Sequence, residues 1–306
     1  MSANQEDSSA SRIWVMLALM SALGFAAMAV CVRIASQTLP QTEVVFFRNF
    51  VALLFLLPLM IRQKVSLKTK NFHLHLLRNV AGLAAMYLYF YALSQLPLAD
   101  ALLLNYTSPL FIVMFAILWL KETFTRQRFI AALIGLVGVS LVFHPSSQIA
   151  SLAGVLGLAS GALAGLALTT VKRLSGRESS ISIVAWFAIL ASIISAIPLF
   201  WDFIWPHGEQ WLYLIAMGLF GTLGQVGLTL AYARAPATQV SPLGYASLIF
   251  AGIFGFVLWN EAPDVLGLVG ALTIIAAGIL VTRERPEPAP VPPSGVPILD
   301  QAPSKK

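Results

Sequence analysis

The stretch ALSQLPLADALLLNYTSPLFIVMFAILWLKE, residues 92–122, can be laid over AYARAPATQVSPLGYASLIFAGIFGFVLWNE, residues 231–261, with a constant shift of 139. In that register Ala92 meets Ala231, Pro97 meets Pro236, Tyr106 meets Tyr245, Ser108 meets Ser247, Phe111 meets Phe250, Phe115 meets Phe254 and Glu122 meets Glu261. Apolar stretches share Leu and Ala by chance, but shared Pro, Tyr, Ser and Glu in one register point to a repeated unit.

The chain around this repeat is 306 residues long, 58% hydrophobic and only 10% charged, with a mean hydropathy of +0.82. Soluble domains carry about 25% charged residues, so the composition predicts an integral membrane protein. A helix needs about 20 mostly apolar residues to cross the hydrocarbon. Ten runs qualify: Ile13–Ala35, Val44–Ile61, Leu74–Leu96, Ala99–Leu120, Phe129–Phe143, Leu152–Val171, Ile181–Phe200, Trp211–Ala233, Thr238–Trp259 and Val265–Thr282. The fifth is the shortest. The runs are continuous, whereas a membrane β-barrel would show short alternating segments. The first is longer than a signal-peptide core and lacks a basic lead, so it is read as a span. Cys31 is the sole cysteine and forms no internal disulfide.

Lys and Arg set the orientation. With both termini inside, the cytoplasmic segments hold Arg12, Arg62, Lys64, Lys68, Lys70, Arg78, Lys121, Arg126, Arg128, Lys172, Arg173, Arg177, Arg234, Arg283, Arg285, Lys305 and Lys306, which is 17 of the 19 basic residues. Glu43, Asp100, Asp202, Glu209, Glu261 and Asp264 fall to the other side. The formal net charge of +6 therefore describes topology in the inner (cytoplasmic) membrane, with no nucleic-acid partner. After Arg285 the proline density predicts an unpacked cytoplasmic tail.

Each copy of the repeat takes five spans, and an odd number places the second copy upside down. The expected fold class is thus all-α integral membrane, about ten transmembrane helices as two inverted five-helix repeats. The expected organisation is a tail over 1–11, repeats over 12–143 and 151–283, and a proline-rich disordered tail over 286–306.

Two five-helix copies, each with a Pro-bounded turn before its fourth helix and a Glu just after it (LWLKE, VLWNE), resemble the EamA-type members of the drug/metabolite transporter superfamily. Arg48 within VVFFRNF shares in that resemblance. It implies a central cavity between inverted halves and secondary transport of a small metabolite across the bilayer by alternating access, driven by a proton or solute gradient. It leaves the substrate open. Export is slightly favoured over uptake on family frequency. A passive channel and, less strongly, an intramembrane lipid-modifying enzyme are the competing classes.

Arg48 is the sharpest candidate for substrate binding. An arginine at that depth costs roughly 2.5–3.5 kcal/mol or more unless paired or hydrated. It either attracts an anionic or zwitterionic substrate, or snorkels outward, or pairs with Glu43. Arg33, nearer the outer end, either snorkels or joins it. Tyr87 and Tyr91, spaced i,i+4, share a face that could stack on a planar metabolite, with Tyr89 pointing elsewhere. Asn105, Tyr106, Ser108, Gln225, Tyr245 and Ser247 must find polar partners in lipid, as ligands or as helix–helix bonds. Pro109 reads as a hinge or a tolerated kink. Glu122 and Glu261 read as structural residues at the repeat junctions, with proton carriage the weaker alternative. Gly157, Gly161 and Gly165, and Gly221, Gly224 and Gly227, suggest close packing within one chain rather than dimerisation; monomer and homodimer both stay open. His73 and His75 point in different directions, and neither a metal site nor a cofactor motif is visible.

Overall fold

A computed structural model describes residues 3–96, 98–144 and 151–283. The proline-rich tail expected over 286–306 lies outside the described residues. Among those that are described there is no strand. The helices run α1 (Ala3–Ala35), α2 (Gln41–Arg62), α3 (Phe72–Gln95), α4 (Leu98–Asn105), α5 (Ser108–Phe115), α6 (Arg126–Phe143), α7 (Leu152–Ser175), α8 (Ser180–Ala196), α9 (Leu199–Asp202), α10 (Gln210–Arg234), α11 (Ala237–Val240), α12 (Ala246–Trp259) and α13 (Val265–Thr282). Eight candidate spans in the described residues are long and apolar enough to cross a membrane. α8 is shorter, at 17 residues, and α3 carries His73, His75, Arg78 and Asn79 in its first turns. The protein is an all-α, multi-pass membrane protein.

Expected and observed spans differ where the backbone breaks. The fourth span divides into α4 and α5 at Tyr106–Thr107, then ends in a π-helical turn over Ala116–Leu120. Its counterpart divides into α11, a 3-10 turn over Ser241–Tyr245, and α12. The seventh stops at Ala196, ahead of Pro198. Helix α1 begins at Ala3, so the polar lead extends the first helix.

The register of 139 persists in three dimensions. Lys121 and Asn260 both adopt left-handed φ, 58° and 57°. The amide that follows each closes the helix end in the same way, Glu122 N–H onto Ala116 O at 3.1 Å and Glu261 N–H onto Gly255 O at 3.2 Å. Aromatic pairs repeat crosswise. Phe47 meets Trp211 edge-on at 5.3 Å, and their equivalents Trp186 and Phe72 meet edge-on at 5.5 Å. The first pair lies near the starts of α2 and α10, and the second near the starts of α8 and α3.

Helices α6 and α13 are equivalents, and they pack antiparallel. Gly138 abuts Gly270 and Ile274, while Gln127 reaches the Leu280 carbonyl at 2.6 Å. A twofold axis that exchanges two antiparallel helices must lie across them, which makes the repeat inverted. The pairs α1–α10 and α3–α7, exchanged by the same axis, are also antiparallel: Ser21 Oγ donates to Gly224 O at 2.7 Å, and Gly82 and Ala92 face Ala167 and Gly157. The ends of the bundle can therefore be named by their charges. A basic end carries Arg62, Lys64, Lys68, Lys70, Lys121 and Arg177; an acidic end carries Glu43, Asp202, Glu209, Glu261 and Asp264.

Small residues draw the helices together, as lipid supplies no hydrophobic drive between them. A Cβ on Gly138 would lie 2.8 Å from the Gly270 oxygen, and one on Gly161 would lie 2.6 Å from the Leu104 oxygen. Gly157, Gly161 and Gly165 all pack on α4 and α5 of the same chain, and Gly221, Gly224 and Gly227 pack on α1.

Candidate functional site

The shift of 139 takes Arg48 to Phe187, and these two residues touch: the guanidinium lies 5.7 Å from the ring centroid. Residues that are equivalent and in contact sit on the axis between the halves. Arg48 projects from α2 two turns inside its acidic end, where Nε points at Met28 Sδ at 3.3 Å and Nη1 donates to Asn49 Oδ1 at 3.1 Å. Asn49 is held in turn by donating to Val45 O at 2.9 Å. From the basic end, α3 brings Arg78 to the same ring, its guanidinium 3.5 Å from the Phe187 centroid. Arg78 is buried, and its Nε has no hydrogen-bond partner. Neither guanidinium has a carboxylate partner among the described residues.

Ala52, Val184, Ala188, Gly221, Thr222 and Gln225 complete the lining around Arg48 and Phe187. The free volume is about 10 Å³, room for about one water. The pocket is closed around one cation, Arg48, and an aromatic face, while Arg78 lies outside its lining against the same Phe187 ring. An anion with a planar group would satisfy both features, through charge-assisted hydrogen bonds and stacking.

The junctions of the repeat lie at the two ends. At the basic end the Glu122 carboxylate caps α11, accepting from Ala237 N at 2.7 Å, Thr238 N at 3.2 Å and Thr238 Oγ1 at 2.9 Å. Beside it the Lys172 ammonium donates to the Tyr232 and Ala235 carbonyls, each at 2.7 Å, satisfying the last turn of α10. Register places Arg33 opposite Lys172 and Glu261 opposite Glu122. At the acidic end those two form a bidentate pair, at 2.6 and 3.0 Å, over the Trp259 ring. The hydrogen bond from Arg33 holds the exposed Glu261 carboxyl below its ordinary value.

Other expected site residues are dispersed. Arg48 and Gln225 meet in the central pocket. Arg33 does not; it is spent on Glu261. Glu43 accepts from Ile204 N at 3.0 Å, so it is not the partner of Arg48. Tyr87 and Tyr91 are each 44% exposed, on the side of α3 opposite Arg78. The tyrosine in line with Arg78 and Gly82 is Tyr89, three turns on, which packs against the cluster of Ala92, Leu96, Ala101 and Leu104. Asn105 donates to Ser160 Oγ at 3.3 Å, a helix–helix bond. Tyr106 and Ser247 hydrogen-bond each other at 3.4 Å, across the two repeats. Tyr245 is fully buried, its hydroxyl donating to Ala132 O at 3.3 Å and its ring against Gly135. Ser108, beside Gly165, opens α5. Pro109 sits in the first turn of α5, where a missing N–H costs nothing; it starts a helix, and the break in the span lies just before it.

The residue missed by sequence reading is Arg78, counted there with the basic loop. Helix α3 begins at Phe72, so Arg78 stands about 9 Å inside it. Its signal was the i+4 Gly82 and i+7 Ala85, a face too small for lipid anchoring and suited to a packed interior.

The inverted halves thus meet at a cationic pocket on the axis between them, within a multi-pass membrane protein. Residues 12–144 and 151–283 both match the EamA-like transporter family, and the chain belongs to that family. It is 35% identical over 274 residues to a pseudopaline exporter of Pseudomonas aeruginosa, covering 89% of this chain and 96% of that one. A riboflavin transporter of Brucella anthropi is 30% identical over 260 residues, 80% and 89% of the two chains. An S-adenosylmethionine uptake transporter of Rickettsia bellii is 29% identical over 272 residues, 88% and 91% of the two chains. A solved crystal structure shares the fold with a TM-score of 0.78 at 19% identity, covering 90% of this chain and 97% of that one. The protein is a small-metabolite transporter and not an enzyme.

Proposed function

We propose that the protein is an alternating-access secondary carrier for a small metabolite bearing an anionic group, and that Arg48 and Arg78 hold that group against Phe187. The observation that carries this reading is the pair of buried guanidiniums with no carboxylate near them, on the axis that relates the halves. Two like charges held together in a low-dielectric interior repel, and a bound anion relieves that repulsion. A cationic substrate would be repelled instead. The basic end is read as cytoplasmic and the membrane as the inner one, by the bias of Lys and Arg. Export is the favoured direction, in keeping with the relative named as an exporter.

A thermal-shift screen of purified protein against a metabolite library tests the substrate class. Anionic and zwitterionic compounds should raise the melting temperature of the wild type and not of Arg48→Gln or Arg78→Gln. Stabilisation by cations, or equal stabilisation of wild type and both variants, would overturn the assignment.

A further inference from the structure

One turn from Arg78 toward the basic end, α3 carries His75, which is fully buried. Its Nε2 lies 2.7 Å from Glu178 Oε2, in the loop between α7 and α8. Glu178 also accepts from the Thr69 hydroxyl, from Asn71 Nδ2 at 3.2 Å and from Ser182 Oγ at 3.5 Å. Burial alone would raise the Glu178 carboxyl; the hydrogen bonds from His75, Thr69 and Asn71 outweigh it and hold it down to about 2. The imidazole lies 5.5 Å from the Trp186 ring, and its Nδ1, like Arg78 Nε and Asn79 Oδ1, is buried without a partner.

The repeat supplies an internal control. A shift of 139 takes Glu178 back to Leu39 and His75 forward to Leu214. Those leucines are buried in one cluster at the acidic end, with Phe47 against Trp211, the pair equivalent to Trp186 and Phe72. The same junction is therefore closed at the other end by two apolar side chains. Nothing in the fold demands a titratable pair here, so its presence adds a dependence on protons that the leucine junction lacks.

We propose that His75 and Glu178 form a proton-controlled latch governing the opening of the Arg48–Arg78 pocket toward the basic end. Helix α3 carries Arg78, α8 carries Phe187, and the latch joins the starts of these two helices. Widening the pocket toward the basic end requires those starts to part. With His75 charged, both partners of the latch are ionised; with His75 neutral, only the Glu178 carboxylate carries charge and the latch is weaker. Other charged groups nearby are Arg177, tied to Asn71 Oδ1 at 3.1 Å, Arg78 itself, and His73, Lys68 and Lys70 on the α2–α3 side. On α7, Lys172 and Arg173 turn away to the carbonyls of Tyr232, Ala235 and Trp119. From α8, Ser182 and Trp186 face the pair.

The meaning of the latch for transport rests on the pocket's role as the substrate site, but its operation can be measured without substrate. In a Cys31→Ala background, Ala188→Cys reports on the pocket and Gly176→Cys on the exposed basic end. Membrane-impermeant maleimide is applied to inside-out vesicles, and Ala188→Cys labelling is divided by Gly176→Cys labelling at the same pH. The ratio should rise roughly three- to tenfold between about pH 5.5 and about pH 8. His75→Gln and Glu178→Gln should flatten that rise. The double variant His75→Leu/Glu178→Leu, which copies the acidic end, should give a low and pH-independent ratio. A flat wild-type response, or a rise that survives in the single variants or in the double leucine variant, would overturn the latch. None of these outcomes depends on whether Arg48 and Arg78 bind an anion, so the two assignments fail separately.

Discussion

At the scale of the residue, two buried arginines share one phenylalanine, and their energetics run opposite to those of a structural ion pair. Removing one partner of a buried salt bridge strands a charge and destabilises the protein. Removing one of two unpaired like charges relieves it. Arg78→Gln and Arg48→Gln should therefore leave the unliganded melting temperature unchanged or raised, while weakening an anionic ligand at least about tenfold, the loss of one charge-assisted contact. Calorimetric binding and melting curves on the same samples read both effects, and a strong loss of stability without ligand would assign the arginines to the fold. Arg48 was legible in the sequence because it interrupts an apolar run well inside its ends. Arg78 was not, because it follows Arg62, Lys64, Lys68 and Lys70 and so looked like the last charge of a loop. The expected span Leu74–Leu96 already held it four residues in, and the start of α3 at Phe72 sets it two residues deeper. The tyrosines failed for a related reason: the i,i+4 spacing of Tyr87 and Tyr91 identifies a shared face without saying which way it turns, and the inward position belongs to Tyr89.

At the scale of the element, equivalent glutamates do different work. Glu122 accepts two backbone amides at the start of α11, whereas Glu261 makes an exposed ion pair. Glu122→Gln should cost about 1–2 kcal/mol of stability through the weakened cap. Glu261→Gln should cost less, since exposed pairs contribute little. Thermal unfolding of the two variants in one detergent tests that order, and a larger loss at Glu261 would contradict it. Close approach makes a second prediction. Gly138→Val would force a side chain onto the Gly270 backbone, and overpacking of that kind costs about 1–3 kcal/mol or abolishes folding. The connection between α2 and α3 has its own pH dependence. Glu178 is held down to about 2, so the anchorage it gives Thr69 and Asn71 is present above the ordinary carboxylate range and lost as pH falls toward that value. Hydrogen exchange across residues 66–71, corrected for intrinsic rates, should accelerate on acidification in the wild type and be fast at all pH values in Glu178→Gln.

At the scale of the whole molecule, the twofold axis explains both what the sequence disclosed and what it hid. Between 92–122 and 231–261 the halves keep their turn and junction residues, so the repeat could be read directly. Around the axis itself they diverge: Arg48 answers to Phe187, Arg78 to Met217 and His75 to Leu214. Function at a pseudo-symmetric site needs that asymmetry, and residues that have diverged carry no repeat signal. The inverted order also fixes a topology that can be checked. Ser146→Cys and Gly176→Cys should react with impermeant reagent from opposite faces of the membrane, Ser146→Cys from outside; equal accessibility would contradict the arrangement. The central claim, that a carrier holds an anionic metabolite between Arg48 and Arg78, is tested most directly by counterflow in proteoliposomes. The probe is the metabolite that most raises the melting temperature of the wild type, radiolabelled outside and unlabelled inside. Uptake should be stimulated by the internal metabolite in the wild type and abolished in Arg48→Ala and Arg78→Gln, both reconstituted at wild-type levels. Wild-type counterflow in those two variants would contradict the account.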